Sequence, residues 1–273
     1  MVQSSAEMVY TSGNFDSHNR AFLFGDAVKT SFFVRKSELI MAEECYFFLM
    51  ASMRKMRMNI PLSYTLDFFT ELFTENVIRK GISDAVINFI AYRNNDGELP
   101  SKSGVSFYFE VNPVTDFLEI QKELEMDVIK EINVNTNLLS NIRVHCPENI
   151  YAEVYAREND LDDVILLNPN KRIARSIYGN LLFLQDGKLK IPKQTEGSYI
   201  SPLMENFVTF VHKNQLAEID QAEIIAFESQ KAEEILLISD EKGIFTVSKI
   251  RNKTFLNEKL TEMIRLWKES LQK

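Results

Sequence analysis

The sequence predicts an α/β (α+β) protein with two lobes, a smaller N-terminal lobe and a larger C-terminal one. The chain has 273 residues, of which 45% are hydrophobic, and this is enough to bury a full core in each lobe. Short apolar runs typical of strands alternate with longer segments whose apolar residues recur at helical spacing. We expect residues 1–115 in the first lobe, 116–126 as a connector and 127–273 in the second lobe.

The first lobe is predicted to hold two helices, two pairs of strands and one further strand. Pro61 ends the first helix, and Gly81 ends the second. The strands are expected at 8–10, 21–24, 28–34, 84–93 and 105–111, and the helices at 42–58 and 65–80. A short helical piece is expected at 117–124, within the connector.

The second lobe is predicted from its turns and helix starts. Pro147 opens a helix, Asp186-Gly187 forms a tight hairpin turn, and Ser201-Pro202 provides an N-cap followed by a first-turn proline. The expected helices are 147–159, 201–212, 222–232 and 256–272. The expected strands are 128–134, 163–168, 181–185, 188–191, 234–238 and 244–250.

Composition restricts the classes of function. The formal net charge of −8 and the lack of any basic run argue against nucleic-acid binding. Cys45 and Cys146 suggest no disulfide framework, which favours a reducing compartment. The longest apolar stretch, 39–53, is interrupted by Glu43-Glu44, so we expect a cytoplasmic chain that does not enter a membrane.

Sequence motifs for several kinds of catalysis are missing. His18, His145 and His212 are isolated, which gives no pattern for a metal site. The sequence also lacks the glycine motifs of serine hydrolases, nucleoside triphosphatases and dinucleotide-binding enzymes. A catalytic Cys146 next to His145 is disfavoured, because neighbours in a loop rarely face each other.

Several segments resemble one known family. Residues 19–28, NRAFLFGDAV, are similar to its N-terminal segment RGFLYGDGV, and 42–44 stand where it has the start of its LEEH helix. In the second lobe, Asp162-Asp163 precede VILLN, and YGNLLFLQDG begins at Tyr178. This order resembles the class IV aminotransferases, which include branched-chain and D-amino acid transaminases and aminodeoxychorismate lyase. The resemblance implies pyridoxal phosphate chemistry and a two-lobed D-amino acid aminotransferase-like fold (fold type IV) with a barrel-like sheet in the larger lobe.

The residues that the resemblance assigns to catalysis are changed. The family's Schiff-base lysine, about seven residues before the asparagine matched by Asn149, falls on Ile142 or, with one deletion, on Arg143. An arginine has no free amine to attack an aldehyde. The glutamate that faces the cofactor's pyridine nitrogen, five residues before the position of Asn180, is replaced by Arg175, which would repel a protonated ring.

Contacts to the cofactor phosphate also differ. The family's phosphate-binding arginine falls on Phe48, and its Gly-Ile-Thr helix start becomes Tyr199-Ile200-Ser201, which keeps a hydroxyl but loses the glycine. Asp240 stands where the family often has a serine or threonine.

Two further positions lie in the pocket that the resemblance implies. Phe24 replaces a tyrosine and Lys29 replaces an aromatic residue. Lys29, Arg143 and Arg175 would then make one cationic cleft for a small organic anion, although each can also be a surface side chain or the partner of a carboxylate. The predicted site residues are Phe24, Lys29, Phe48, Arg143, Arg175, Asn180, Ser201 and Asp240.

Two main functions remain open. The first is a family member that has lost pyridoxal phosphate catalysis, needs no cofactor and binds a small organic anion or a protein partner. The second is an active aminotransferase or aminodeoxychorismate lyase-like enzyme with repositioned residues, for example a Schiff base on Lys29; another chemistry in the same cleft is a third. Four lost positions favour the first.

The resemblance also implies a homodimer, for which Phe68, Phe69 and Phe73 offer apolar surface.

Overall fold

The computed structural model describes residues 8–13, 18–95, 99–100 and 102–271. The chain divides into two compact units. Unit 1 comprises Met1–Asp116 and Ile142–His145, and unit 2 comprises Phe117–Asn141 and Cys146–Lys273. The short segment Ile142–His145 therefore belongs to unit 1, although the chain on both sides of it belongs to unit 2.

The described strands of unit 1 form an antiparallel sheet in the order β1-β5-β4-β2-β3. Its elements are β1 (Met8–Thr11), α1 (Arg20–Phe24), β2 (Ala27–Arg35), β3 (Glu38–Ile40), α2 (Ala42–Lys55), α3 (Leu66–Asn76), β4 (Ala85–Arg93) and β5 (Val105–Pro113). The predicted antiparallel pair 84–93 and 105–111 is confirmed as β4 and β5. Both predicted helices are confirmed as α2 and α3, although α3 stops at Asn76 and gives way to a short 3₁₀ turn.

Phenylalanines of α3 belong to the core of unit 1. Phe69 and Phe73 are 1% and 0% exposed, and their rings lie 5.4 and 6.1 Å from that of Phe89 in edge-to-face contacts. Phe68 stacks on Tyr64 at 5.4 Å. Such contacts are typical of a packed core. The prediction that these residues offer dimer surface is therefore wrong for Phe69 and Phe73, while the homodimer itself stays a prediction.

Residues 21–24 form part of helix α1, so the predicted strand there is wrong. The Asn19 side chain accepts hydrogen bonds from the N–H groups of Ala21 and Phe22 at 2.9 and 3.3 Å, which caps the helix. Gly25 ends it with a φ of 64°, a left-handed conformation that glycine adopts without strain. These two end signals prevail over the strand preference of the short apolar run.

The described strands of unit 2 form one sheet in the order β11-β10-β9-β12-β13-β6-β7-β8, with β14 paired to β13. Its elements are β6 (Ile120–Val128), α4 (Pro147–Glu158), β7 (Asp163–Leu167), β8 (Ile173–Ser176), β9 (Asn180–Gln185), β10 (Lys188–Pro192), α5 (Pro202–Lys213), β11 (Glu218–Ala222), β12 (Glu234–Ser239), β13 (Gly243–Ile250), β14 (Lys253–Thr254) and α6 (Glu258–Ser270). None of the helices in the described part of the chain has the length and apolar character of a membrane span.

The turn and the helix start that local signals predict in unit 2 are confirmed. Asp186 and Gly187 both have positive φ, 51° and 72°, as the predicted tight turn between β9 and β10 requires. Ser201 caps α5 by accepting the Met204 N–H at 3.1 Å, and Pro202 follows as the first helical residue.

Strand β6 shows where the sequence prediction is wrong. The segment predicted as a connector with a helical piece at 117–124 forms a strand, and 128–134 lies mostly beyond its end. β6 pairs in parallel with β13 and β7, both distant in sequence. Lys122, Glu123 and Glu125 hide its strand periodicity, which appears only in its buried second half.

The helix predicted at 222–232 is also wrong. The chain there leaves β11, which runs parallel to β10, and forms only a short 3₁₀ helix at Ala226–Lys231. Parallel pairing of β11 depends on partners far along the chain, so a local reading of this segment misses it.

Two adjacent acids at the start of β7 differ in their titration. Asp163 is 2% exposed, and burial raises its pKa to about 6 although it accepts the N–H groups of Val164 and Ile177 at 2.7 and 3.0 Å. At Asp162, the effect of burial is outweighed by hydrogen bonds from Lys122 and from the Glu125 N–H, and its pKa lies below the usual value.

Asp163 should make the stability of the fold depend on pH. The folded state keeps the Asp163 proton up to about pH 6, whereas the unfolded chain releases it near pH 4. The folded state therefore binds more protons in this window, and stability falls as pH rises. Because of Asp163, we expect the free energy of unfolding to fall by up to about 3 kcal/mol as the pH rises from 4 to 7. The variant Asp163→Asn should not show this decrease.

Urea unfolding at several pH values measures the effect. Asp162→Asn is the matched control, because the lowered pKa of Asp162 contributes stability that is lost only as pH falls. If the pH profile of Asp163→Asn runs parallel to that of the wild type, Asp163 does not titrate as proposed.

Candidate functional site

Arg175 is buried in unit 2 and surrounded by neutral groups. It lies on β8, whose residues are all buried, and is 3% exposed. Its Nη1 donates to Asn149 Oδ1 at 2.8 Å and to the Ser176 carbonyl at 3.0 Å, and Nη2 donates to Cys146 Sγ at 3.5 Å. The guanidinium carbon lies 4.3 Å from the centroid of the Tyr199 ring.

One edge of the Arg175 guanidinium is left without a strong acceptor. In the part of the chain that the structure describes, Arg175 forms no ion pair, and its buried Nε has no hydrogen-bond partner. Nη2 on the same edge contacts only the thiol sulfur of Cys146, a weak acceptor. The Nε–H and Nη2–H groups of an arginine form the fork that binds a carboxylate with two parallel hydrogen bonds. This edge therefore has the chemistry to bind an anion.

Asparagines hold the neighbours of Arg175 in place. Asn149 Nδ2 donates to the Ile177 carbonyl at 3.2 Å and to Tyr199 Oη at 3.0 Å, which leaves its Oδ1 for Arg175. Asn180 binds the backbone of Tyr199 on both sides, accepting its N–H at 2.9 Å and donating to its carbonyl at 2.8 Å. Since every polar atom of both amides is used, the position of the Tyr199 ring beside Arg175 is fixed.

A carboxylate of the chain itself stands at the N-terminus of α5. Asp240 is 2% exposed and accepts Ser201 Oγ–H at 2.6 Å and the Leu203 N–H at 3.2 Å. Burial and the charge of Asp240 raise the pKa of the nearby Glu205. A helix N-terminus attracts anions, but a phosphate at this one would meet the Asp240 carboxylate. These residues do not fit a phosphate, whereas the open edge of Arg175 fits an anionic group.

The predicted site residues of unit 1 form a separate set. Lys29 is an exposed residue of β2, and its N–H donates to the Arg143 carbonyl at 2.8 Å, so the segment Ile142–His145 pairs with this strand. Phe24 is 64% exposed at the end of α1, while Phe48 is buried within α2. Gly25 leaves room for this segment, because a Cβ at that position would overlap the Cβ of His145.

The structure thus brings some predicted residues together. Ser201 contacts Asp240, and both Arg175 and Asn180 contact Tyr199. A single cleft that joins Lys29, Arg143 and Arg175 stays a prediction. The sequence did not identify Cys146 and Asn149 as the side chains that contact Arg175, because contacts between α4 and β8 leave no periodic signal in either segment.

Comparisons with known proteins agree with this architecture. The family model for amino-transferase class IV matches residues 48–250. A branched-chain aminotransferase from Thermoproteus uzoniensis superposes with a TM-score of 0.85 at 16% identity, over 96% of this chain and 93% of that one. A putative 4-amino-4-deoxychorismate lyase from Legionella pneumophila gives 0.81 at 18% identity, over 94% and 96%. No curated protein matches the sequence.

These matches settle two expectations from the sequence. The class IV aminotransferase fold is confirmed by the likeness to solved structures. The expectation of no cofactor is contradicted by the family match and by a solved neighbour that holds pyridoxal phosphate. One neighbour, a branched-chain aminotransferase from Thermobaculum terrenum, was solved in its pyridoxal phosphate form and gives a TM-score of 0.84 at 16% identity, over 96% and 93%.

The contact between Ser201 and Asp240 should contribute to stability beyond an ordinary helix cap. We expect Ser201→Ala to lower the free energy of unfolding by about 2–3 kcal/mol, because it removes both the cap and a hydrogen bond to a buried carboxylate. Thr65→Ala is the matched control at the α3 cap, where Thr65 accepts only the Phe68 N–H, and should cost about 1 kcal/mol. Equal losses in urea unfolding would show that Asp240 adds nothing to the cap.

Proposed function

The chain belongs to the amino-transferase class IV family, and from this membership and the geometry at Arg175 we propose that it binds a small organic anion at Arg175 and does not transfer amino groups. The observation that carries the proposal is a buried guanidinium that has no acidic partner among the described residues.

Other buried arginines of the chain show why Arg175 is unusual. Arg35 and Arg93 are 4% and 7% exposed, and each has a carboxylate within 3.4 Å, from Asp116 and Asp26 respectively. Burying a charge without a counter-charge is destabilising, so buried arginines are normally paired. A bound anion would supply for Arg175 the negative charge that Asp116 and Asp26 supply for Arg35 and Arg93.

Pyridoxal phosphate is the first anion to consider, because it is the cofactor expected of the family. When bound to an enzyme of this kind it supplies an aldehyde and an electron-withdrawing ring. In this chain Arg175 would hold an anionic group of the ligand, and the Tyr199 ring keeps the guanidinium in place. The Asp240 carboxylate at the start of α5 would repel a phosphate dianion there. We therefore expect the group bound in this unit to be a carboxylate or another weak anion at Arg175.

The absence of amino-group transfer is inferred from the side chains at the catalytic positions. Ile142 is apolar and buried, and Arg143 offers a guanidinium in place of an amine. The Arg175 guanidinium stays positively charged and would repel a protonated ring nitrogen, so it cannot stabilise that charge as a carboxylate does. An active enzyme with a repositioned lysine is the competing function, and the experiments below separate the two.

Removing the Arg175 charge should weaken anion binding without weakening the fold. We expect Arg175→Met to reduce affinity by about 1–3 kcal/mol, or roughly 5- to 150-fold, because it removes the charged hydrogen bonds. The free energy of unfolding of the ligand-free protein should not fall, because an uncompensated buried charge is removed with the arginine. Calorimetric titration with acetate, benzoate, 2-oxoglutarate, phosphate and pyridoxal phosphate measures the first effect, and urea unfolding the second.

Arg157→Met is the matched control, because Arg157 is an exposed residue of α4 paired with Glu153. It should bind the same ligands as the wild type does. If Arg175→Met binds all five ligands with unchanged affinity, Arg175 is not the anion site.

Amino-group transfer is tested separately. We expect no exchange between amino acids and 2-oxo acids in the presence of added pyridoxal phosphate. Borohydride, which fixes the cofactor to any lysine that has reacted with its aldehyde, should leave no stoichiometric label on one lysine. Peptide mass spectrometry reads this out, and a full label on a single lysine such as Lys29 would establish the competing function instead.

A further inference from the structure

The thiol of Cys146 lies between two opposite charges. Its Sγ accepts a hydrogen bond from Arg175 Nη2 at 3.5 Å and donates one to Glu148 Oε2 at 3.2 Å. Cys146 is also the N-cap residue of α4, directly before Pro147. Its surface is half-buried, so a reagent can reach it, whereas Cys45 is fully buried in α2.

These surroundings act on the thiol in opposite directions. Burial raises the pKa of Cys146, the positive charge of Arg175 opposes this, and the hydrogen bond to Glu148 adds to it. The helix N-terminus favours the thiolate, as the charge of Arg175 does. The charged groups that act on Cys146 are thus Arg175 from β8 and Glu148 from its own helix. Burial is the largest effect, so the pKa of the thiol lies above its usual value, and the charge of Arg175 opposes this rise.

Arg175 also has an unpartnered edge on the side that faces Cys146, because Nε lacks an acceptor and Nη2 has only the sulfur. A thiolate at this position would neutralise the guanidinium, and a ligand carboxylate on the same edge would do so too. Both cannot occupy the Nη2 hydrogen bond at full strength, since two anions side by side repel each other.

We infer that Cys146 is a modification site for carbon electrophiles, and that its thiolate and a bound organic anion are alternative counter-charges of Arg175. The second half rests on the proposed function, whereas the first half does not. Anion binding and thiol ionisation are then reciprocally linked, so that each disfavours the other.

The modification can be written with iodoacetamide as the electrophile. Cys146 gives its proton to solvent, the thiolate sulfur attacks the methylene carbon, an S–C bond forms, and the C–I bond breaks with release of iodide. The thioether product carries no charge and adds bulk next to Nη2 of Arg175. It can neither neutralise the guanidinium nor leave room on its edge, so alkylation should also block anion binding.

The experiment measures the rate of alkylation of Cys146 in the folded protein from pH 6.5 to 9.5, with the label assigned by peptide mass. Because a neighbouring opposite charge shifts an ionisation by about 1–3 pH units, we expect Arg175→Met to slow the reaction at pH 7.5 by about tenfold or more. Glu148→Gln should accelerate it several-fold, because the negative charge that disfavours the thiolate is lost. Glu153→Gln changes a half-exposed acid of the same helix that pairs with Arg157, and should leave the rate unchanged.

Benzoate supplies the test of linkage. Saturating benzoate should slow alkylation of the wild type several-fold and leave Arg175→Met unaffected, and fully alkylated protein should bind benzoate at least tenfold more weakly. Equal rates for the wild type, Arg175→Met and Glu148→Gln would overturn the assignment of Cys146, as would a Cys146 that resists alkylation below pH 9.5. If those variants respond as expected but benzoate does not bind, the proposed function fails for carboxylates and the modification site stands.

Discussion

The burial of one positive charge on β8 is the constraint on which the site of unit 2 depends. The guanidinium of Arg175 is oriented by an amide oxygen, a backbone carbonyl, a thiol and an aromatic ring. All four groups are neutral when the thiol is protonated. Neutral acceptors fix the direction of the donors but only partly compensate the loss of hydration. The arrangement is therefore geometrically ordered and electrostatically incomplete, which is the condition in which an anion gains most by binding.

Local sequence signals predicted much of the fold. Asp186-Gly187, Ser201-Pro202 and Pro147 mark turns and helix starts through conformations that few other residues favour, and the elements next to them are confirmed. Strands β6 and β11 were missed, because their identity depends on parallel pairing with distant partners rather than on their own residues. The strand expected at 21–24 was wrong because the cap at Asn19 and the left-handed Gly25 favour a helix.

The site was predictable only in part, for a related reason. The resemblance to the family implies from the sequence alone that Arg175 replaces an acid and that Asp240 replaces a hydroxyl residue. The hydrogen-bond partners of the guanidinium are not visible in the sequence. Cys146 at the N-cap and Asn149 in the first turn of α4 reach β8 only through packing in unit 2. Hydrogen-bond partners across elements have no periodicity that a single sequence could display.

The fold of this chain tolerates changes in sequence that a binding site does not tolerate. Solved structures with only 16–18% identity superpose with TM-scores of 0.81–0.85, because a buried position needs an apolar residue of suitable size and accepts many of them. A site has no such tolerance, since the sign of a single charge decides which ligand group it binds. In this chain Arg175 forms no ion pair with a described acid, and Asp240 stands where a helix start attracts anions. These polar positions, rather than the shared fold, must therefore determine what the protein binds.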